Sequence, residues 1–273
     1  MSIPSFRQRR RIATTLTLFA VLVMLGTVWI KKGQLADISV LTGGTLLCCV
    51  LLLALFGMRR RLPILPLGSA STWTQVHIYM GFFTAGVYWM HVPKLIGTGI
   101  FEGMLSIVFL LVTISGFYGL YASRTLPKRL TAVEGQNRFD RVEWHRGQIA
   151  DQAKKLWEEL TVHAGVPVLG SFYTQHLSPF FNSRPPLSYV LIPTGGRRRR
   201  LLSDLKELER YLENDDRSTA DQFAALVRRR DDLDYQFALQ LRLRLWVTFH
   251  SILTVALVVG GLAHTFIAFR NLG

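Results

Sequence analysis

Cysteine, acidic residues and nucleotide-binding glycine patterns are all scarce in this sequence, and each shortage removes a class of function. Cys48 and Cys49 are the only cysteines, adjacent to each other within an apolar run. They make no zinc or iron–sulfur spacing and no Cys-x-x-Cys-His, so covalent haem attachment is excluded; two small residues facing lipid or another helix remain. No Gly-x-Gly-x-x-Gly stands in the polar stretch 125–243, which removes the dinucleotide-binding fingerprint. Asp and Glu number 18 against 32 Lys and Arg. Such a basic excess suits nucleic acid, but here much of it flanks apolar runs, where Lys and Arg are retained on the cytoplasmic side of a membrane. With 49% apolar residues, the composition implies a membrane protein with a sizeable polar portion and no nucleic-acid partner.

Arg7, Arg9, Arg10 and Arg11 precede an apolar run at 13–30, just long enough to cross about 30 Å of hydrocarbon. Its basic start resembles a signal peptide, yet the run is long for one and no small-x-small cleavage site follows. It therefore reads as a retained span with its N-terminus inside. A second span at 39–58 is followed by Arg59, Arg60 and Arg61, and Pro63 and Pro66 punctuate the loop after it. A third span at 75–92 is closed by Pro93. A fourth at 99–121 is anchored by Arg124, Lys128 and Arg129, and a fifth at 245–269 follows Arg242 and Arg244. The expected fold class is an all-α membrane protein: a five-transmembrane-helix bundle with a cytoplasmic, mainly helical insertion between spans four and five. On this reading residues 1–124 hold spans one to four, 125–243 the insertion, and 244–273 the fifth span with a short outer tail. The expected location is a bacterial-type inner (plasma) membrane, crossed several times, with the N-terminus cytoplasmic and the C-terminus outside.

Two of these spans carry paired histidines. His77 and His91 lie 14 residues apart on the third, and His250 and His264 repeat that spacing on the fifth. Fourteen residues make nearly four helical turns, so each pair shares one helix face and is separated by roughly 21 Å. Both spans begin on the inner side, which makes them parallel and matches His77 with His250 near the inner surface and His91 with His264 near the outer one. A lone histidine on an apolar helix is ordinarily a satisfied polar residue. Four at identical spacing, where ionisable groups are costly, form the ligand set for two stacked non-covalent b haems, each iron held by one imidazole from each helix. Gly81, Thr84 and Tyr88 share the face of His77, and Gly81 is a point of close approach for a flat porphyrin. Glu102, near the outer end of the fourth span, is either an interfacial carboxylate or the proton acceptor for a quinol oxidised near the outer haem.

The insertion contains an amphipathic helix at 142–163 with Trp144, Ile149, Leu156 and Leu160 as its apolar positions, and a short strand at 188–192. After a Gly195-Gly196 turn comes the basic run Arg197, Arg198, Arg199 and Arg200, which suits a solvated face, anionic lipid headgroups or an acidic partner. A helix at 201–212 follows. Thr219 with Gln222 has the form of a capping box that opens a long helix leading directly into the last span. His145, His163 and His176 lie at no metal-ligand spacing and read as surface or core residues.

Two parallel membrane helices, each with two histidines about four turns apart and one intervening membrane helix, resemble the haem-binding core of respiratory cytochrome b. They are equally similar to ferric reductase-like membrane domains. The resemblance covers about a quarter of the chain, mainly 75–121 and 245–269. It implies an electron-transfer subunit relaying electrons across the membrane between a quinone or quinol and a partner redox protein. That partner would be a separate subunit of a hetero-oligomeric oxidoreductase complex, carrying c-haem, iron–sulfur or flavin centres. Arg61, Arg124, Lys128 and Arg244 inside and Lys94 or Arg270 outside are candidates for pairing with haem propionates. The departures are a missing Pro-Glu-Trp-Tyr signature, a missing flavin module and the large insertion. A transmembrane reductase core taking electrons from a cytoplasmic flavoprotein to an outer acceptor such as ferric iron is the alternative, and a haem-free membrane scaffold is a third.

Overall fold

Helix is the only regular secondary structure among the described residues of the computed structural model, which are 6–33, 38–58, 70–131, 138–162, 167–212 and 214–272. Four long helices come first: α1 (Phe6–Gly33), α2 (Ile38–Met58), α3 (Ala70–His91) and α4 (Ile100–Thr131). Then follow α5 (Val142–Val162), α6 (Pro167–Phe172), a π-helical turn (Tyr173–Leu177), α7 (Ser178–Asn182), α8 (Leu187–Leu191) and α9 (Gly196–Leu208). The last, α10 (Asn214–Leu272), is one continuous helix of 59 residues. The expected long helix entering the final span is thus present, but Thr219 lies inside it rather than capping it. Its start at Asn214 makes the Thr219–Gln222 pair a mid-helix feature.

The chain forms two bodies, Met1–Ala122 with Trp246–Gly273, and Ser123–Leu245. The first holds α1, α2, α3, most of α4 and the C-terminal part of α10. By length and composition four described helices are apolar enough to cross a membrane: Arg7–Lys32, Ile38–Leu55, Ile100–Thr131 and a stretch of Asp216–Arg270. The described fold is therefore all-helical with four candidate spans, where five were expected. At 22 residues α3 is long enough to cross, but Thr72, Thr74, Gln75, His77 and His91 reduce its apolar character. In an apolar solvent the outward faces of such helices carry large hydrophobic side chains, and Leu22, Trp29, Leu55, Ile100, Ile114, Val259 and Phe266 are all exposed.

The second body, which contains the polar stretch 125–243, is built in the opposite sense. Val142, Arg146, Ile149, Ala153 and Leu160 fall on one face of α5 and are buried, while Lys154, Lys155, Glu158 and Glu159 stay exposed. Trp144 belongs to the outer face, 59% exposed, and not to the apolar stripe expected of it. The buried face of α5 packs with Leu169, Tyr173, Leu177, Phe180 and Phe181, with Leu201 and Leu205 of α9, and with Phe223 and Val227 of α10. Each such large side chain contributes about 1.5–3 kcal/mol on full burial.

Residues 188–192 form no strand. Pro186 at the N-cap, extended at ψ 156°, starts the short helix α8, whose Val190 is buried and whose Leu187 and Leu191 are exposed. No strand is available among the described residues to pair with a β-branched run there, so local helical bonds satisfy its backbone. Gly195, at φ 62°, occupies the left-handed region that favours glycine and turns the chain into α9, which begins before the expected 201.

Candidate functional site

The four histidines at 14-residue spacing meet in pairs. The rings of His77 on α3 and His250 on α10 have centroids 6.4 Å apart with planes at 67°; those of His91 and His264 are 6.5 Å apart at 79°. Both pairs join residues in ascending order, so α3 and the C-terminal part of α10 run in the same direction. Close packing ties α3 to α1 and α2.

Each pair lies in its own cavity. The first, of about 130 Å³, is lined by His77, His250, Gly81, Phe82, Thr84 and Gly116, among others. The second, of about 630 Å³, is lined by His91, His264, Gly43, Gly44, Lys94 and Glu102, among others. Cofactor sites ordinarily occupy about 300–1,000 Å³, so the second is of cofactor size and the first is smaller. Val50, Phe109 and Leu257 line both cavities. They form a buried apolar cluster with Tyr88, whose ring stacks on Phe109 at 4.0 Å. This cluster is a dry partition between the two sites.

Two histidines are held from behind by hydroxyls. Ser115 Oγ on α4 lies 2.7 Å from His250 Nδ1 and donates to the Val112 carbonyl at 2.8 Å. Thr42 Oγ1 on α2 lies 3.0 Å from His91 Nδ1 and donates to the Ile38 carbonyl at 2.8 Å. Trp246, one turn before His250, donates its indole N–H to the Ser115 carbonyl at 2.8 Å, its ring 5.8 Å from that of His250. Gly119 makes space for it, because a Cβ there would overlap the Trp246 ring. Phe101 flanks His264 at 6.3 Å.

The donor set fits a bis-imidazole haem. With a metal–nitrogen bond of about 2.0 Å and the nitrogen about 1.1 Å from its ring centre, two imidazoles across one metal have centroids about 6.2 Å apart. A direct hydrogen bond of about 2.9 Å between ring nitrogens would bring them to about 5.1 Å. The observed 6.4 and 6.5 Å match the metal-bridged separation. No three His, Cys, Asp or Glu gather as a metal site among the described residues. Two imidazoles per cavity is the number that a porphyrin leaves to the protein at its axial positions.

Of the other expected residues, Gly81 looks onto open space in the first cavity, where a Cβ would meet nothing within 4 Å. Lys94 and Glu102 both line the second. The turn that carries Lys94 is pinned by Tyr88, whose hydroxyl donates to the Leu95 carbonyl at 2.6 Å, and by the Gly97 N–H donating to Ser106 Oγ at 3.1 Å. Arg61 lies outside the described residues, as do Pro63, Pro66 and His163. Arg124 and Arg244 belong to the second body, where the Arg244 guanidinium stacks over Phe139 at 4.0 Å. His176 is exposed, and His145 is half-buried against Trp144.

Thr42 and Ser115 are absent from the expectations drawn above, although a signal exists. Each hydroxyl is followed by glycine inside an apolar helix, as Thr42-Gly43 and Ser115-Gly116. No protein-family model, curated protein or solved structure matches the chain, so the functional reading rests on this geometry.

Proposed function

We propose that this chain is a membrane electron-transfer subunit holding two b haems non-covalently, His77 with His250 at one and His91 with His264 at the other. It would relay electrons across the membrane between a quinone or quinol and a separate redox subunit of the same complex. The observation that carries the reading is the pair of imidazole separations, 6.4 and 6.5 Å, each inside a cavity between helices. A haem b held there by two imidazoles would supply one-electron transfer.

The chain's own residues bind, orient and insulate. The four imidazoles supply the axial donors, Ser115 and Thr42 orient two of them, and Gly81 and Gly44 keep side chains out of the way. Val50, Tyr88, Phe109 and Leu257 exclude water between the sites. Lys94 offers a cation on the rim of the larger cavity for a haem carboxylate. Glu102, which lines the same cavity, would take the proton released from a quinol oxidised beside it. In this reading α3 also crosses the membrane, bringing the spans to five, and its two histidines are tolerated because they line the cavities rather than face lipid. The basic clusters set the N-terminus and the body Ser123–Leu245 on the cytoplasmic side of a bacterial-type inner membrane, with the C-terminus outside.

The test is haem quantitation and a reduced-minus-oxidised spectrum of the purified full chain, followed by reduction with a soluble quinol. Two b haems per chain, reduced by the quinol and less so by Glu102→Gln, are expected. A colourless protein from haem-sufficient cells would overturn the haem assignment. Reduction by a nucleotide-dependent flavoprotein but not by quinol would replace the quinone with a cytoplasmic flavoprotein partner.

A further inference from the structure

We infer that Thr42 and Ser115 are positioning residues, each setting the tautomer of one imidazole so that its Nε2 presents a bare lone pair. The reasoning is a proton count. A hydroxyl has one hydrogen to donate. On this inference it lies in the bond to the helix's own carbonyl, Val112 at 2.8 Å for Ser115 and Ile38 at 2.8 Å for Thr42. Towards the imidazole each oxygen is then an acceptor, and the 2.7 Å contact at His250 and the 3.0 Å contact at His91 put the proton on Nδ1. A neutral imidazole with hydrogen on Nδ1 has none on Nε2, the form in which Nε2 can ligate a metal.

Glycine adds to the first of them. A Cβ at Gly43 would stand 3.0 Å from His91 Cε1, tighter than a packed side chain tolerates without yielding, whereas at Gly116 it would meet His250 Cε1 at an ordinary contact distance of 4.0 Å. At Gly43 the missing side chain lets the ring settle against the helix that carries the hydroxyl. Both hydroxyl residues are nearly buried, Thr42 at 1% and Ser115 at 7% exposure, which keeps water from the hydroxyl oxygens. The devices sit on different helices and serve different ones: α2 supports His91 of α3, and α4 supports His250 of α10. Each cavity thereby has one ligand set by a hydroxyl. Thr42 and Ser115 act through the imidazoles.

The inference rests on the two-haem reading for its purpose, but its proton assignment is measurable without haem. In full-length protein in lipid with ring-15N histidine, solid-state NMR should find His91 and His250 with hydrogen on Nδ1 and a bare Nε2. Ser115→Ala should alter the His250 signal alone and Thr42→Ala that of His91 alone, with Ser115→Thr restoring the parent pattern. Hydrogen on Nε2 at both positions, or signals indifferent to both alanine variants, would overturn it. In haem-loaded protein, Ser115→Ala should weaken haem binding about 10–100-fold at the His77–His250 site only. It should also raise that haem's midpoint potential, because an unsupported imidazole donates less to the ferric iron. Loss at both sites or at neither would contradict a local role. Haem-free protein with the expected tautomers would instead remove the two-haem reading and leave the proton assignment standing.

Discussion

The two bodies of this chain bury polar groups in opposite ways. In the first, the buried polar side chains are hydroxyls: Thr42, Thr84, Ser106 and Ser115. All four donate to a carbonyl of their own helix, at Ile38, Met80, Glu102 and Val112. In the second they are mainly ions. Arg146 and Arg230 converge on Asp234, and both donate to the Ser183 carbonyl, at 2.9 and 2.8 Å. Beside them Asp231 accepts from the Tyr189 hydroxyl at 2.9 Å and pairs with Arg198. A hydroxyl satisfied by its own helix needs no partner elsewhere, so it is cheap inside an apolar bundle and keeps lone pairs for an incoming N–H. A buried ion is tolerable only while every counterion stays in place. Two of these four hydroxyls, Thr42 and Ser115, thereby serve a histidine, whereas the ions of the second body hold α5, the Ser183 turn and α10 together.

The sharpest break of this comparison is Asp234→Ala. Removing the shared carboxylate leaves two buried guanidiniums facing each other, and the second body should lose about 3–5 kcal/mol, read by chemical unfolding. Replacing Arg146, Arg230 and Asp234 together by apolar residues of similar volume should cost far less, and a loss as large as that of Asp234→Ala would contradict the pairing account. A pH series comes next. Burial raises the Asp231 carboxyl above its ordinary value of 3.8, outweighing the lowering by Tyr189 and Arg198. The folded state thus holds this proton more tightly than the unfolded state. Its contribution to stability is complete below the ordinary value and is lost as pH rises through the folded one. Asp231→Asn should make stability fall less with rising pH across that window, whereas an unchanged slope would mean the carboxyl is not strained by burial.

Effects in the first body should be smaller. Leu95 holds φ 64°, a left-handed conformation costing a leucine roughly 1–2 kcal/mol. Leu95→Gly should recover part of that in thermal stability if the Tyr88 hydroxyl continues to pin the turn. Smallest is Thr84→Val, which removes a hydroxyl bonded mainly to its own helix; a change of about 1 kcal/mol or less is expected. A cost of the size expected at Asp234 would show that this body, too, depends on buried polar networks.

The histidine spacing was legible because helical periodicity is local: 14 residues fix a face whatever surrounds it. The same locality made the continuity of α10 readable from Thr219 through Arg244, though not its start, since Asn214 precedes the pattern that resembled a cap. What could not be read was any feature set by distant neighbours. Ser115 is 135 residues from His250, and Thr42 is 49 from His91. A serine or threonine in an apolar helix looks the same whether it ends on its own carbonyl or also on an imidazole. Arg244 was assigned by depth alone, and only the fold reveals Phe139 beneath its guanidinium. The run at 188–192 has strand-forming residues, but strands need partners, and the short helix that Pro186 starts needs none.

The central claim is the pairing, and single substitution of each histidine by alanine, with haem content and reduced spectra read for each variant, tests it most directly. His77→Ala and His250→Ala should remove the same spectral component and about one haem per chain, while His91→Ala and His264→Ala remove the other. Loss of a common component by His77→Ala and His264→Ala, or no haem in the parent protein, would contradict it.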